Sequence, residues 1–252
     1  MIAAERRRKL LNALRKSGSL SVSSASDLLR VSRGTVHRDM EALAAAGLLR
    51  KIHGGAVPII SMPVIKNSAV SFTERRPVNA PAKEAIARHL VKLLANAHNI
   101  ALDASTTVFS ICSVLKAATQ KPVPFILTNG VPLFQELQRL NLGYRIALTG
   151  GEPHPRTDSL IGPLAIKSLE GMRFDLAVVS AVGLMEEEGQ TYDATAEDCA
   201  VKQAFLARAT TRVLALDTTK VNFLAPYPSS PLSDFDLLVT ENGVRELDRK
   251  KH

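Results

Sequence analysis

A basic segment, RVSRGTVHRDMEAL, contains side chains suited to contact nucleic acid. Val36, Met40 and Leu43 recur at i, i+4 and i+7, a spacing that predicts an amphipathic helix. At about 100° per residue, Gly34 and Arg38 fall opposite that apolar stripe. An arginine there can pair bidentately with guanine or a phosphate, and a glycine lets the backbone approach DNA closely. The candidate DNA contacts are Ser32, Arg33, Gly34, Thr35, His37 and Arg38, followed by Arg50, Lys51 and His53.

A second group of polar residues follows short aliphatic runs later in the chain. The segment DASTT, residues 103–107, offers hydroxyls and backbone N–H groups that could hold a phosphate or another anion where a helix begins. Lys202 or Lys220 could supply the opposite charge. Ligands of open α/β sheets bind outside the carboxyl ends of the strands, so these positions predict one shared pocket. Comparable polar positions are Thr128, Asn129, Gly150, Gly151, Gly183 and residues 217–220.

Three helices and a hairpin are predicted to position the DNA-contacting residues. The first two helices are predicted at Ala4 to Lys16 and at Ser24 to Arg30, before the helix that carries Arg38. An extended run from Leu48 to Ile52, bounded by glycines, is typical of a β-hairpin wing. This order predicts a winged helix–turn–helix domain over residues 1–57, whose third helix enters the major groove.

Positive charge is concentrated in the same part of the chain. Residues 1–60 contain 11 basic and 4 acidic residues, a net charge of +7, whereas the whole chain carries +8. Such a block attracts phosphate backbones or anionic lipid heads. A helix that lies on a membrane surface would also need aromatic anchors, and residues 1–60 contain no aromatic residue. The charge therefore favours DNA as the partner.

The remaining residues predict an α/β domain. Residues 58–81 are proline-rich and lack a sustained period, so they are predicted to link two domains, with the second over residues 82–252. Six aliphatic runs alternate with helix-like segments, which predicts a mainly parallel sheet covered on both faces. The runs are residues 99–105, 123–129, 144–151, 174–183, 211–220 and 235–241. The helix-like segments are Lys83 to Ala97, Thr107 to Ala118, Leu133 to Leu140, Leu160 to Glu170 and Ala196 to Ala209.

Composition limits the classes of protein to which the chain can belong. The 252 residues are 46% hydrophobic, enough for one or two domains with a sizeable core. No stretch approaches the roughly 20 apolar residues of a membrane span, and the N-terminus lacks the apolar core of a secretory signal, so a cytoplasmic protein without a membrane partner is expected. Cys112 and Cys199 are far apart and predict buried, inert thiols. None of the six histidines has metal-ligand spacing, so no metal site is expected.

Two stretches of the first domain resemble the DNA-binding segment of the DeoR family of bacterial repressors. They are VSRGTVHRDMEAL and GLLRKIHGGA, which match that family in residue types and spacing. The resemblance spans residues 1 to roughly 241 and includes FTERR, NAPAKEAIA, LDASTT, LTNG, LTGGE, LIGPLA, AEDCAVKQAFL and LALDTTK. It therefore covers both predicted domains.

The resemblance implies a winged helix–turn–helix joined to an α/β domain similar to ribose-5-phosphate isomerase and CoA-transferase folds. It implies a repressor, not an enzyme, that controls a sugar or carbohydrate catabolism operon and is released from double-stranded operator DNA by a phosphorylated sugar. No cofactor is implied, and a homodimer or homotetramer on paired half-sites is expected. By position, the resemblance assigns the effector pocket to Asp103, Ser105, Thr106, Thr107, Thr128, Asn129, Gly150, Gly151, Lys202, Asp217 and Lys220.

Three features depart from the family pattern. His37 stands where the family has the first of two arginines, on the face predicted to contact DNA. The segment DTTK and the following VNFLAPYPSS differ from the sequence that usually covers the pocket. The chain also ends in the short segment ENGVRELDRKKH. These departures bear most directly on the identity of the effector.

An enzyme is the alternative that the residues leave open. A sugar-phosphate isomerase with a basic N-terminal extension needs a general base, such as Asp103 or Glu197, within hydrogen-bond reach of a substrate carbon. The sequence does not place either carboxylate there. Turnover of pentose phosphates is the property that separates the two classes.

Overall fold

The computed structural model describes residues 3–17, 20–45, 49–52, 54–58, 71–117 and 122–248. The chain consists of two compact units, Met1–Val64 and Ile65–His252. Their division falls inside residues 58–81, the stretch predicted to link two domains. Each unit has its own hydrophobic core.

The first unit is a winged helix–turn–helix. Its elements are α1 Ala3–Ser17, β1 Leu20–Ser21, α2 Val22–Leu29, α3 Arg33–Ala45, β2 Leu49–Ile52 and β3 Gly55–Pro58. The three strands form an antiparallel sheet in the order β1, β3, β2, and β2 and β3 make the wing hairpin. Val36, Met40 and Leu43 of α3 are buried in the core with Leu10 and Leu14 of α1. The apolar stripe predicted for the third helix is therefore its packing face.

Gly54 and Gly55 shape the wing hairpin in different ways. Gly54 has a φ of +78°, in the left-handed region that side chains rarely adopt. A Cβ on Gly55 would lie 2.5 Å from the backbone oxygen of Leu20, so a larger residue would push β1 away from β3. Gly54 thus allows the tight turn, and Gly55 allows β1 to pair with β3.

A buried carboxylate holds α3 against α1. Asp39 is only 1% exposed and accepts hydrogen bonds from Arg6 and Arg7. Its Oδ1 atom lies 3.0 Å from Arg7 Nε and 3.1 Å from Arg6 Nη2. Burial opposes ionisation of Asp39, but the two guanidinium groups hold the pKa of this carboxyl below its usual value. Two of the basic side chains in the N-terminal block are therefore engaged within the unit.

The second unit contains the predicted mainly parallel sheet. Its strands are β4 Asn99–Leu102, β5 Phe125–Thr128, β6 Arg145–Leu148, β7 Glu152–His154, β8 Ser159–Ile161, β9 Phe174–Val179, β10 Gly183–Met185, β11 Gln190–Asp193, β12 Ala209–Ala215, β13 Tyr227–Pro231, β14 Leu237–Thr240 and β15 Gly243–Glu246. Seven of the described strands form one sheet in the order β15, β14, β12, β9, β4, β5, β6. All neighbours are parallel except β14 and β15. Each of the six predicted aliphatic runs supplies one of the parallel strands.

Both faces of this sheet are covered. The helices of the second unit are α4 Phe72–Arg75, α5 Ala80–Leu94, α6 Thr106–Phe109, α7 Val131–Leu140, α8 Pro163–Lys167 and α9 Ala196–Leu206. Ile100 and Leu102 of β4 join one core cluster with Leu90 of α5, and Ala101 joins the opposite cluster with Phe205 of α9. A parallel strand buried on both faces is apolar throughout, which explains the aliphatic runs.

Part of the predicted linker is folded in the second unit. Residues 71–81 contain α4, which begins with a capping box. The Ser71 hydroxyl accepts a hydrogen bond from the Glu74 N–H, and the Glu74 carboxylate accepts one from the Ser71 N–H. Phe72 is buried edge-on against Phe109, with 5.3 Å between the ring centroids. Residues 59–70 lie outside the described residues. Helix α4 is too short to produce the sustained period that the prediction required.

Two predicted helices of the second unit are shorter in the structure. The segment from Leu160 to Glu170 contains the end of β8 and then α8, because Gly162 has a φ of +85° and Pro163 starts the helix. The helix predicted from Thr107 to Ala118 continues past α6 only as a 3₁₀ turn, Ser110–Ser113. No helix in the described ranges is long and apolar enough to cross a membrane.

The two cysteines are free and buried, as predicted. Burial raises the pKa of Cys112 to about 12 and also raises the pKa of Cys199. Both thiols are therefore protonated at neutral pH and are poor nucleophiles.

We predict that Asp39→Ala lowers the free energy of unfolding of the first unit by about 1 to 3 kcal/mol at pH 7, because it leaves Arg6 and Arg7 without their shared acceptor. A carboxyl with a depressed native pKa stabilises the fold above the unfolded pKa of about 3.9, and this stabilisation is lost as the pH falls through the native pKa. The difference in thermal stability between wild type and variant should therefore be larger at pH 7 than at pH 3. An equal difference at both values would contradict the role of the ionised carboxylate.

Candidate DNA-binding surface and ligand cavity

The start of α3 presents most of the predicted DNA contacts on one exposed surface. Ser32, Arg33, His37 and Arg38 are exposed, and Thr35 is half-buried. The Ser32 hydroxyl accepts a hydrogen bond from the Thr35 N–H at 3.3 Å, which fixes the first turn. The side chains of this turn therefore project from an ordered helix end.

Gly34 is not required by the packing of this helix. A Cβ at this position would approach only Ser32 Oγ, at 4.0 Å. The Arg38 Nε donates weakly to the Gly34 carbonyl at 3.4 Å, and the Arg33 Nη2 donates to Ser23 at 3.3 Å. Both guanidinium groups are exposed and can exchange these weak bonds for a stronger anionic acceptor.

An ion pair that the sequence did not predict links the wing to α3. Lys51 Nζ lies 2.9 Å from the Glu41 carboxylate, and this hydrogen bond lowers the pKa of Glu41. The partners are ten residues apart on different elements, so no local spacing predicts the pair. Both side chains are exposed, and an exposed pair contributes little stability, so Lys51 can leave Glu41 for a phosphate. The side chain of Arg50 and the whole of His53 lie outside the described residues.

A cavity of about 220 Å³ lies at the carboxyl ends of β4, β5, β9 and β12. It occupies the edge of the sheet where the sequence predicted a shared pocket. Seven of the eleven predicted effector-pocket residues line it: Asp103, Ser105, Thr106, Asn129, Lys202, Asp217 and Lys220.

The other four predicted pocket residues are not part of the lining. Thr107 is fully buried and accepts a hydrogen bond from Lys220, so it lies behind the cavity wall. Thr128 is also buried and accepts from the Gly130 N–H at 3.0 Å, which shapes the turn after β5. Gly150 and Gly151 lie beside the chain around α8, where a Cβ on Gly151 would be 2.5 Å from the Ile161 oxygen. These four residues position the chain instead of lining the cavity.

One side of the cavity is a buried acidic and basic network. Lys202 lies between Asp193, at 2.5 Å, and Asp103, at 3.8 Å. The carboxylate of Asp103 also accepts from the Ser105 N–H at 3.0 Å and the Ser180 N–H at 2.8 Å, which joins the ends of two neighbouring strands. Although burial opposes the charged form, the surrounding carboxylates raise the pKa of Lys202. Lys202 is therefore a structural cation as well as a wall residue.

Three further cations, Lys220, Lys83 and Arg75, line the cavity together with Asp217, whose charge favours the protonated forms of both lysines. Lys220 Nζ lies 3.3 Å from both Thr107 Oγ1 and Ser180 Oγ, and burial lowers its pKa. Lys83 Nζ donates to the Arg75 carbonyl at 2.6 Å, while burial and the charge of Lys220 lower the pKa of Lys83 to about 8. Burial also lowers the pKa of Arg75, which remains a cation. Cations that repel one another in a cavity are stabilised by an anion that binds between them, so this wall is suited to an anionic ligand.

Three wall residues come from residues 71–83, which the sequence analysis divided between the linker and the start of a helix. We call residues 71–83 the strap; it contributes Arg75, Asn79 and Lys83 to the cavity. The Asn79 amide donates to Asp217 Oδ1 and Thr219 Oγ1, each at 3.0 Å, and so ties the strap to the turn after β12. The spacing of Arg75, Asn79 and Lys83 at i, i+4 and i+8 was the available signal, but the prolines between them obscured it.

Further wall residues come from the β7–β8 hairpin and from the start of α9. The hairpin supplies His154, Arg156 and Thr157, and the first turn of α9 with its N-cap supplies Asp198 and Thr195. The unusual segment VNFLAPYPSS also reaches the cavity, through Phe223. Its later residues form β13, which pairs with β11.

Comparison with known protein families agrees with both halves of this architecture. Residues 6–61 match the DeoR-like helix-turn-helix domain, and residues 78–242 match the DeoR C terminal sensor domain. The chain belongs to the DeoR family. It is therefore a transcriptional regulator with a DNA-binding helix–turn–helix unit and a sensor unit.

Full-length relatives of this DeoR-family chain support the assignment. The HTH-type transcriptional regulator GolR of Listeria innocua is 31% identical, over 100% of this chain and 95% of the relative. The lactose phosphotransferase system repressor of Lactococcus lactis is 27% identical, over 94% of this chain and 90% of the relative. Among solved structures, ribose 5-phosphate isomerase A of Methanocaldococcus jannaschii aligns with a TM-score of 0.40 and 13% identity, over 57% of this chain and 55% of that protein. This last similarity is too weak to bear on function.

We predict that Lys202→Met lowers the free energy of unfolding of the sensor unit by about 3 to 5 kcal/mol, because it leaves Asp193 and Asp103 buried beside an apolar side chain. Urea unfolding measures this change. Glu197→Gln is the matched control, since Glu197 is exposed on the same helix and its replacement should change stability by less than about 0.5 kcal/mol. Equal stability of the two variants would show that the Lys202 network does not hold the sensor unit together.

Proposed function

We propose that this DeoR-family regulator represses a carbohydrate catabolism operon and leaves its operator when a phosphorylated sugar binds in the cavity. One observation carries the effector part of the proposal. Lys83 is buried, and Arg75 and Lys220 are half-buried, on the cavity wall, and within the described residues none of these cations has a carboxylate as a hydrogen-bond partner. Carboxylates of the described residues act on these cations only at longer range, so an anionic group of the ligand would supply a directly hydrogen-bonded partner. The name of the Lactococcus relative, a lactose phosphotransferase system repressor, supports the link to sugar metabolism.

The operator part of the proposal depends on the exposed start of α3. Arg38 has the geometry for bidentate pairing with a guanine edge, and Gly34 beside it leaves room for a close approach. Ser32, Arg33, Thr35 and His37 complete the proposed contact surface, and we assign Arg50, Lys51 and His53 to phosphate contacts on the basis of the sequence. A single winged helix contacts few base pairs, so we infer that two or four copies bind paired half-sites.

For DNA binding, Arg38→Ala should remove about 1 to 3 kcal/mol of affinity for the operator and relax its sequence preference. Lys51→Ala should weaken operator and random DNA alike and reduce the slope of log affinity against log salt by about 1. Fluorescence anisotropy on DNA from upstream of the gene, at several salt concentrations, measures both effects. Arg139→Ala, an exposed arginine of the sensor unit, is the control. Unchanged affinity and salt slope in both test variants would contradict the proposed contact surface.

We infer that the sensor unit binds its ligand without turning it over. The two carboxylates considered as general bases support this inference. Asp103 already accepts two backbone hydrogen bonds and faces Lys202, so its oxygens are engaged. Glu197 is exposed and is not among the residues that line the cavity.

The effector claim is tested by screening ribose 5-phosphate, fructose 1-phosphate, glucose 6-phosphate and galactose 6-phosphate for release of the upstream DNA. One of them should release DNA from the wild type at a concentration that its unphosphorylated sugar does not match. Lys220→Ala and Thr106→Val should bind DNA normally but resist release, whereas the exposed Lys92→Ala should respond like the wild type. Loss of DNA binding in the two cavity variants would instead indicate misfolding or a different pocket. Interconversion of pentose phosphates at an ordinary enzymatic rate would refute the sensor assignment.

A further inference from the structure

Buried polar atoms without a partner are concentrated at the cavity. In the described part of the chain, five buried side-chain nitrogen or oxygen atoms lack a hydrogen bond. Three of the five belong to residues that line the cavity: Arg75 Nη2, Asn129 Oδ1 and Asp193 Oδ2. A native protein leaves few such atoms unsatisfied, because each forfeits the hydrogen bonds it had with water. Their grouping points to a ligand that completes them.

The three atoms differ in what they require. Arg75 Nη2 is a charged donor on the strap, and Lys83 and Lys220 contribute further positive charge on the same wall. An acceptor that also carries negative charge satisfies a guanidinium best. The open Arg75 Nη2 donor is therefore suited to a phosphate oxygen, which would compete with the longer-range attraction of Asp198, Asp103 and Asp193 for this guanidinium.

Asp193 Oδ2 and Asn129 Oδ1 are acceptors. Asp193 and Asn129 are 2% and 4% exposed, so neither side chain can turn to solvent. The other oxygen of Asp193 is held by Lys202 at 2.5 Å, and the amide nitrogen of Asn129 donates to the Leu160 carbonyl at 3.1 Å. Each side chain is thus fixed by one bond and leaves one oxygen for a donor. A neutral donor such as a hydroxyl group fits, because a cationic donor would be repelled by Lys202, Lys220 and Arg75.

We propose that the cavity recognises two chemically different ends of one ligand: Arg75 binds the anionic group, and Asp193 and Asn129 bind hydroxyl groups. This assignment rests on the proposed function and adds to it the residues that decide which ligands are accepted. A simple anion would satisfy Arg75 alone, and an unphosphorylated sugar would satisfy only the two acceptors. A phosphorylated polyhydroxyl compound satisfies all three atoms.

The test measures affinity of the full-length protein by isothermal titration calorimetry with two kinds of probe. The first probe is inorganic phosphate, and the second is each of the four sugar phosphates of the release screen. Arg75→Gln should weaken the binding of both kinds of probe about tenfold or more, because it removes a charged donor. Asp193→Asn should weaken the binding of the sugar phosphate that binds the wild type about tenfold. The affinity for inorganic phosphate should stay unchanged or increase, because the substitution removes a negative charge.

Two matched controls separate recognition from general damage. Arg76→Gln alters the neighbouring arginine, which is exposed and stacks on the Phe109 ring at 4.9 Å without lining the cavity. Glu197→Gln removes an exposed carboxylate from α9. Both controls should keep wild-type affinities. If Arg75→Gln fails to fold, Arg75→Lys keeps the charge but loses the planar fork, and it should still weaken phosphate binding by severalfold.

Each failure has a distinct meaning. A sugar phosphate that releases DNA from the wild type and binds Arg75→Gln and Asp193→Asn with unchanged affinity would overturn this assignment and leave the proposed function standing. Equal loss of inorganic phosphate and sugar phosphate in Asp193→Asn would also overturn it, because the residue would then be structural. If the wild type binds neither inorganic phosphate nor any sugar phosphate, the assignment and the proposed effector class both fail.

Discussion

Charged groups withdrawn from water must find partners, and this constraint governs the carboxyl edge of the parallel sheet. The fold brings the ends of β4, β5, β9 and β12 together, and with them Asp103, Asp217 and Lys220. Asp103 shows how the requirement is met, because its two oxygens join the backbone after β4 to the backbone after β9. Lys202 then lies between Asp103 and Asp193 and attracts both carboxylates. The geometry of the cavity follows from satisfying these buried charges.

The same constraint organises the DNA-binding unit. Asp39 would be costly to bury alone, and Arg6 and Arg7 make its burial possible while fixing α3 against α1. Sequence reasoning counted both arginines toward a charge that attracts DNA. The structure assigns them to the interior contact between the helices, so the exposed charge near α3 comes from other residues, among them Arg33 and Arg38. Net charge therefore locates the DNA-binding unit but does not identify the side chains that bind.

Long periodic elements were predictable from the sequence, whereas short elements and distant partners were not. The stripe of Val36, Met40 and Leu43 and the six aliphatic runs were found because burial repeats along a regular helix or strand. Helix α4 has four residues, fewer than the repeat that a period requires, and its start depends on a local capping box. Partners such as Asn79 and Asp217 are 138 positions apart, so only the folded chain shows that they meet. For that reason seven cavity residues were identified in advance, and Arg75, Lys83 and Asp193 were not.

The strap is the first described segment of the sensor unit in chain order. It begins at Ser71, directly after residues 59–70, and the chain passes through it between the DNA-binding unit and the sheet of the sensor unit. Within the sensor unit the strap is held by the Asn79 amide, by the bond from the Phe72 N–H to the Arg156 carbonyl, and by buried Phe72. Among the described residues no carboxylate accepts a hydrogen bond from its Arg75 or Lys83 side chain, although carboxylates attract both at longer range. An anion bound to them would add attraction between the strap and Lys220 where there is now repulsion between cations. Under the proposed function, an anionic ligand would therefore strengthen the attachment of the strap to the rest of the sensor unit.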